Sequence, residues 1–465
     1  MKQALAQTRS PIDDSIVYEQ PYFDDRQITA AIASARVAQA AWRETSLEQR
    51  SAICQHLIDY FVAQREQIAE DITRQMGRPI VQSGGEVNGL KERGEHMIAI
   101  AQSTLADRPC REKPGFQRFI RSDPVGVVLV VAPWNYPLLT TVNSVIPALM
   151  AGNAVLIKPA AQTPLAGVHF YQAAKAAGAP EGLLQALCLD HEATQKLLQS
   201  GHINHCSFTG SIGAGQRIES ALAGNFASLT LELGGKDPAY VCHDADLDST
   251  LDNLVDGSYF NSGQSCCAIE RIYVDNTLYD SFVEGFVERV KRYHLGNPLD
   301  EQTNLGPVVR ASAAQFIREQ NESAVRAGAT ACIDPSIFAM DDGAGAYLAP
   351  QVMINVSHDM SLMREESFGP TVGIMPVASD KEAIALMNDS NVGLSASIWS
   401  SDAERAEQLG HRVETGTVFM NRCDYLDPEL VWTGVKQTGK GYSLAEPGYA
   451  GFVQLKSFHF KLAGN

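Results

Sequence analysis

What this chain lacks narrows its chemistry before any motif is read. It has no run of lysine and arginine longer than two, and its formal net charge is -17. No basic stripe is available to meet phosphates, so nucleic acid is not an expected partner. Hydrophobic residues make up 45% of the sequence, yet none of their runs approaches the ~20 residues that span a bilayer, and no apolar leader follows Met1. A cytoplasmic protein without a membrane partner is expected. There is no Cys-x-x-Cys and no histidine cluster at ligand spacing, and the nine cysteines are scattered and odd in number. Reduced thiols and no metal site are therefore expected. Internal repeats and low-complexity segments are absent as well.

What is present reads in order as helices, then two α/β units. Apolar residues recur at helical spacing from Asp25 to Trp42, and Ser46-Leu47-Glu48-Gln49 has capping-box form before a second helix that should stop near Met76-Gly77. A third helix is expected from about Glu86 to Ala106. Residues 107–124 are charged, hold three prolines and end in a short alternating segment, which suits an exposed hairpin or arm. From Val125 the run Val-Gly-Val-Val-Leu-Val-Val-Ala has the β-branched continuity of a strand buried on both faces. Strands and helices then alternate to Leu233, as in a doubly wound parallel sheet. Four strand ends carry polar or Gly-rich tags that should converge in one crevice: Trp134-Asn135, Lys158-Pro159, Thr209-Gly210-Ser211 and Glu232-Leu233-Gly234-Gly235. A second α/β unit follows Gly235. The tail from Gly451 to Leu462 alternates like an edge strand seeking a partner.

Within the second unit, Gly257 to Arg271 attracts most interest. Leu247, Leu251, Leu254, Val255 and Ser258 mark a helix that breaks at Ser262-Gly263, before an apolar run, Ile269 to Val274, with β preference. Cys266 sits at that junction, where backbone N–H groups can lower a thiol pKa and bond an oxyanion. Cysteine is also a common packing residue, so the stretch alone leaves a reactive and a structural thiol both open. Glu232 is an acid inside the apolar segment Leu229 to Leu233. Such a position is costly for a charge and favours a perturbed, functional carboxyl over a solvated one, with an ion pair as the other account.

Taken together, Pro133-Trp134-Asn135, Lys158-Pro159, Phe208-Thr209-Gly210-Ser211, Leu231-Glu232-Leu233-Gly234-Gly235-Lys236, Gly263-Gln264-Ser265-Cys266 and Glu365-Glu366-Ser367-Phe368-Gly369-Pro370 resemble, in order, the motifs of the aldehyde dehydrogenase superfamily from about residue 25 to 460. The resemblance implies a Rossmann-like cofactor domain (1–106 and 125–234), a second α/β catalytic domain (235–436) and a small β oligomerisation arm (107–124 and 450–465). It implies oxidation of a small-molecule aldehyde to a carboxylate with NAD or NADP, in a homodimer or homotetramer.

The same resemblance distributes roles. Cys266 is the nucleophile, Asn135 and the Cys266 N–H the oxyanion donors, and Glu232 the base that activates water. An acid at Glu232 also argues against the alternative, transfer of the acyl group to coenzyme A or a merely esterase-like activity. Gly210, Ser211 and Gly215 meet the pyrophosphate, Lys158 the adenosine ribose, Glu366 the nicotinamide ribose, and Phe368 and Trp134 the cofactor cleft. NAD-preferring relatives often carry Glu where Ala161 stands here; without that carboxylate a 2′-phosphate is not repelled, so both cofactors should be accepted. Tyr136, Thr140, Asn143, Phe260, Ser265, Cys267, Asp424, Leu426 and Trp432 should line the substrate tunnel. Arg422 is also placed there, either to meet an anionic semialdehyde or as a solvated or paired arginine.

Overall fold

The computed structural model describes residues 4–462. The chain opens with an antiparallel hairpin, Leu5–Arg9 against Ile16–Pro21, which the helical reading from Asp25 did not include. Its strands have little core of their own. Thr8 is buried and its hydroxyl donates to the Ala161 carbonyl at 2.7 Å, so the hairpin is held by docking on the loop after Lys158, a contact that periodicity cannot reveal.

The Asp25–Trp42 helix follows, capped by Asp24 and Gln27 in a reciprocal box. Ser46 and Gln49 form the expected capping box. The expected single helix to Met76 is instead two, Leu47–Ala63 and Arg65–Met76. Gln64 leaves helical dihedrals at φ -103° and ψ 16°, and the corner lets both apolar faces reach the same core. The second of the two stops at Gly77, which takes the left-handed conformation of a C-terminal cap. Gly85–Thr104 is the next long helix.

Around these helices lies a six-stranded sheet in the order Gly439–Lys440, Ser228–Glu232, His205–Thr209, Val127–Val131, Ala154–Lys158, Leu184–Ala186. All neighbours are parallel except the first pair. Val127–Val131 and Ala154–Lys158 are buried at every residue, as helices on both faces require. The second sheet has seven strands, with Ile269–Asp275 and Asp237–Val241 at its middle, and its own apolar core that includes Phe282, Phe286 and Trp399.

The chain does not end in that second sheet. Gly439–Lys440 returns to pair antiparallel with Leu231 and Glu232. A 3-10 helix, Glu446–Phe452, then places Tyr449 and Phe452 in the first core. There the Tyr449 hydroxyl donates to Met97 O at 2.5 Å and Asn153 Nδ2 donates to Phe452 O at 2.9 Å. The tail finds its strand partner within the chain: Val453–Lys461 runs antiparallel to Phe116–Pro124, which also pairs with Arg108–Pro109. Phe119 and Phe458 stack at 4.5 Å across it. The other edge of Val453–Lys461 is unpaired among the described residues.

Candidate active site

The helix leading to the thiol, Leu247–Tyr259, ends in a single 3-10 turn, Phe260–Gly263. Asn261, Ser262 and Gly263 all take positive φ, 53°, 57° and 70°. The left-handed region is mildly unfavourable for Asn and more so for Ser, at about 1–2 kcal/mol per residue. At Gly263 a Cβ would stand 2.3 Å from the Gly369 carbonyl, so no larger residue fits. Such a turn persists only where its surroundings over-determine it, and these do. The Asn261 carboxamide donates to Gln264 O at 3.2 Å and accepts from Arg78 Nε at 3.2 Å. Ser262 Oγ donates to Gly306 O, and Gln264 Oε1 accepts from Val309 N at 2.7 Å. Cys266 is thereby presented, half-buried, from a loop that is fixed on both sides.

Asn135 is buried, and its Nδ2 donates to Gln264 O at 3.2 Å, which ties the Trp134-Asn135 loop to the Cys266 loop. Its carbonyl accepts from Arg78 Nη2. Arg78 is itself ion-paired with Glu86, both fully buried, and Glu86 also accepts from Leu138 N at 2.6 Å at the start of the Leu139–Met150 helix. Arg78 and Glu86 thus hold Asn135 in place. Sequence reasoning took Gly77-Arg78-Pro79 only as a helix stop; a charged residue wedged between two chain breakers was the available signal.

Glu232 ends its strand half-buried. Thr209 Oγ1 donates to its Oε2 at 3.1 Å and Ser443 Oγ to its Oε1. Burial raises its pKa, while the two hydroxyls and the nearby Arg93 cation oppose the rise. Ser443 comes from the returning segment, 211 residues after Glu232, and nothing local in the sequence marks it.

A cavity of about 440 Å³ brings Cys266 and Glu232 together, while Asn135 is not among the residues of its wall. Cys266, Glu232 and Thr209 share its wall with Tyr136, Phe260, Ser265, Cys267, Asp424 and Trp432. Thr140, Asn143 and Leu426 line it too. Arg422 does not: it is exposed, with its guanidinium 3.5 Å from the centre of the Tyr425 ring. The cavity's cations are instead Arg78 and Arg93, neither of which was singled out from the sequence. Cys267 is a reduced thiol that keeps its proton. It donates to Asp424 Oδ1 at 2.8 Å, and its hydrogen bond with Cys266 together with burial holds it protonated. Burial pushes Asp424 up to about 6 against the Cys267 and Ser265 donors.

The remaining tags lie on the side of the first sheet. Ser211 caps the Ile212–Leu222 helix directly after Gly210, at the carboxyl end of a strand, which leaves amides and a positive helix end for an anion. Gly215 lets that helix approach closely: a Cβ there would meet Leu233 at 2.7 Å. Lys158 is buried at its strand end and Ala161 is exposed beyond it. Trp134 and Phe368 meet edge to face at 5.4 Å. Phe368 has positive φ, held by Glu270, which accepts from its N–H at 2.9 Å and pairs with buried Lys236. Glu366 accepts from Gly235 N at 3.1 Å, and burial, then the charge of Glu270, pushes it up to about 8.

Residues 2–458 match the model of the aldehyde dehydrogenase family. The chain is 34% identical over 436 residues to a succinate-semialdehyde dehydrogenase [NADP(+)] of Mycobacterium avium, covering 93% of this chain and 92% of that one. Among solved structures it resembles succinic semialdehyde dehydrogenase from Streptococcus pyogenes in complex with NADP+, with a TM-score of 0.93, 28% identity and coverage of 98% and 100%. It also resembles a point mutant of betaine aldehyde dehydrogenase from Staphylococcus aureus in complex with NAD+, with a TM-score of 0.93, 28% identity and coverage of 99% and 95%.

Proposed function

Because this chain belongs to the aldehyde dehydrogenase family, we propose that it oxidises an aldehyde to the carboxylic acid with NAD or NADP through covalent chemistry at Cys266. The observation that carries this reading is the single cavity whose wall holds both Cys266 and Glu232. As thiolate, Cys266 attacks the aldehyde carbonyl carbon, and the carbonyl π electrons move to oxygen. Backbone N–H of Cys266 and the second N–H of the Asn135 amide, the one not spent on Gln264, stabilise that oxyanion. The nicotinamide cofactor, when bound, supplies the acceptor for the hydride that the thiohemiacetal releases. A thioester remains on Cys266. Glu232, hinged between Thr209 and Ser443, takes a proton from water as that water attacks the thioester carbon, and the acid leaves with the thiolate restored.

The residues present fit such a cofactor. Ser211 and the first amides of the Ile212–Leu222 helix would hold the pyrophosphate, while Gly210 and Gly215 shape that turn, their own N–H groups being spent on Glu232 O and Ser211 O; Lys158 would hold the adenosine ribose and Glu366 the other ribose, with Trp134 and Phe368 as the wall beside the nicotinamide. Since the exposed Ala161 side chain offers no charge, NADP is accepted alongside NAD. Ala161→Glu should lower kcat/KM for NADP relative to NAD at least about tenfold through repulsion of the 2′-phosphate; an unchanged ratio would remove Ala161 from cofactor choice.

Ser443→Ala removes one of the two hydroxyls that oppose the raised pKa of Glu232. The base then loses its proton only at still higher pH, so the acid limb of the kcat profile moves up. A limb that stays in place in the variant would show that Ser443 is packing only.

The assembly we propose is a homo-oligomer built on the unpaired edge of Val453–Lys461, which carries exposed Leu455 and Phe460. We place the protein in the cytoplasm, where nine free thiols suit a reducing milieu; among the described residues no helix is long and apolar enough to cross a membrane.

The test of the main reading is the initial rate of reduced nicotinamide formation with 4-oxobutanoate and butanal, titrating NAD and NADP separately. Silence with both aldehydes and both cofactors would sink it.

A further inference from the structure

A cation inside a cavity is costly unless something pairs with it. Arg93, on the Gly85–Thr104 helix, lines the Cys266 cavity and is only 8% exposed. Of its five N–H donors, one is spent, from Nη1 to the Leu139 carbonyl at 3.1 Å. No carboxylate lies within the 4.0 Å of an ion pair among the described residues. Arg78, the other cation of the wall, is matched by Glu86.

The carboxylates of the wall are engaged elsewhere. Glu86 holds Arg78 and Leu138 N, Glu232 accepts from Thr209 and Ser443, and Asp424 accepts from Ser265 and Cys267. Glu92 accepts from the Tyr425 hydroxyl at 3.0 Å, and it is exposed at the mouth, as is Asp256.

Asn143 carries a second, independent sign. It is 3% exposed and lines the same cavity, yet neither its Nδ2 nor its Oδ1 has a partner. Buried polar groups without partners call for an explanation, and an absent ligand is one. Asn143 lies one turn beyond Leu139 on the Leu139–Met150 helix, hence on the face whose Leu139 carbonyl Arg93 grips. The two unspent donor groups therefore face one region of the cavity.

We propose that Arg93 and Asn143 form a carboxylate-binding subsite, and that this chain prefers aldehydes bearing a carboxylate, the ω-oxo acids. The proposal rests on the reading of Cys266 as the nucleophile of an aldehyde oxidation. A guanidinium fork matches the two oxygens of a carboxylate, and the Asn143 amide adds a further donor. A neutral aldehyde would leave both sets of donors unspent. The acidic mouth, Glu92 and Asp256, does nothing to draw an anion in, so the preference comes from the buried contact and not from long-range steering.

The experiment compares kcat/KM for 4-oxobutanoate and for butanal, at saturating cofactor, in the wild type, Arg93→Met and Asn143→Leu. The wild type should favour the oxo acid by about 100-fold. That ratio should fall by about 100-fold in Arg93→Met, chiefly through KM, and by about tenfold in Asn143→Leu. Removing Arg93 also removes a charge near Glu232; that effect, like any loss of enzyme to misfolding, acts on the two substrates alike and cancels in the ratio. Succinate gives a second readout without turnover, raising the Tm of the wild type but not that of Arg93→Met. A wild type that shows no preference, or a ratio unmoved in both variants, overturns the subsite and leaves aldehyde oxidation standing. A wild type silent with both aldehydes takes both readings down.

Discussion

Replacing Cys266 by alanine should lower cofactor reduction by at least about 10⁴-fold, because the thioester route has no substitute nucleophile. The neighbouring thiol cannot take over. Cys267 is buried, its proton is committed to Asp424 at 2.8 Å, and its hydrogen bond with Cys266 and its burial both keep it from ionising. Binding of the cofactor should survive, since the elements proposed to hold it lie on the first sheet and on the Glu365-to-Pro370 loop. Trp134, packed edge to face on Phe368, reports that binding through quenching of its fluorescence. Rates of the purified variant with 4-oxobutanoate or butanal, alongside the quenching titration, check both halves. Activity of more than a few per cent of wild type would show that the nucleophile lies elsewhere.

The second large effect is expected at Glu232. With glutamine there, water attacks the thioester unaided and kcat should fall about 10²- to 10³-fold. The first turnover needs no such base, so a burst of reduced cofactor close to one per active site should remain in rapid mixing. A burst lost along with kcat would place Glu232 before hydride transfer. The pH dependence has a definite sign. The base works when deprotonated, and burial raises its pKa, so wild-type kcat should climb as pH rises through a point above the ordinary carboxylate range. In Glu232→Gln that limb should vanish.

Most of the fold was legible because its determinants are local. The capping box at Ser46 to Gln49 opens a helix as its spacing implied, and the β-branched run after Val125 sits where a doubly buried strand belongs. The misses have a common cause. The hairpin Leu5–Arg9 with Ile16–Pro21 and the corner at Gln64 depend on what packs against them, and no period in the chain encodes that. At the site, Cys266 and Glu232 were visible through their motifs and the tunnel residues, from Tyr136 to Trp432, only through their place in the family resemblance; they share one cavity. Arg93 was not: on a helix surface pattern it is one more charged position among Lys91, Glu92 and Glu95. Its burial follows from the neighbouring Leu139–Met150 helix, whose Leu139 carbonyl it reaches. Arg422 illustrates the reverse case, a charged residue close in sequence to tunnel positions whose side chain turns outward onto Tyr425.

The segment that returns from the second sheet to the first bears on how the molecule is made. While a ribosome works through residues 235–436, the first sheet has an open edge at Ser228–Glu232, because Gly439–Lys440 does not yet exist to cover it. Its core lacks Tyr449 and Phe452 for the same interval. The amino-terminal half therefore cannot mature in the order of its synthesis; it waits, incomplete, for a stretch made after the other half is finished. The carboxylate of Glu232 acquires its Ser443 partner in that same late step. A chain stopped between Met420 and Phe452 would hold every strand of the second sheet, yet the half made first would be the one left unfinished, without Tyr449 and Phe452 in its core.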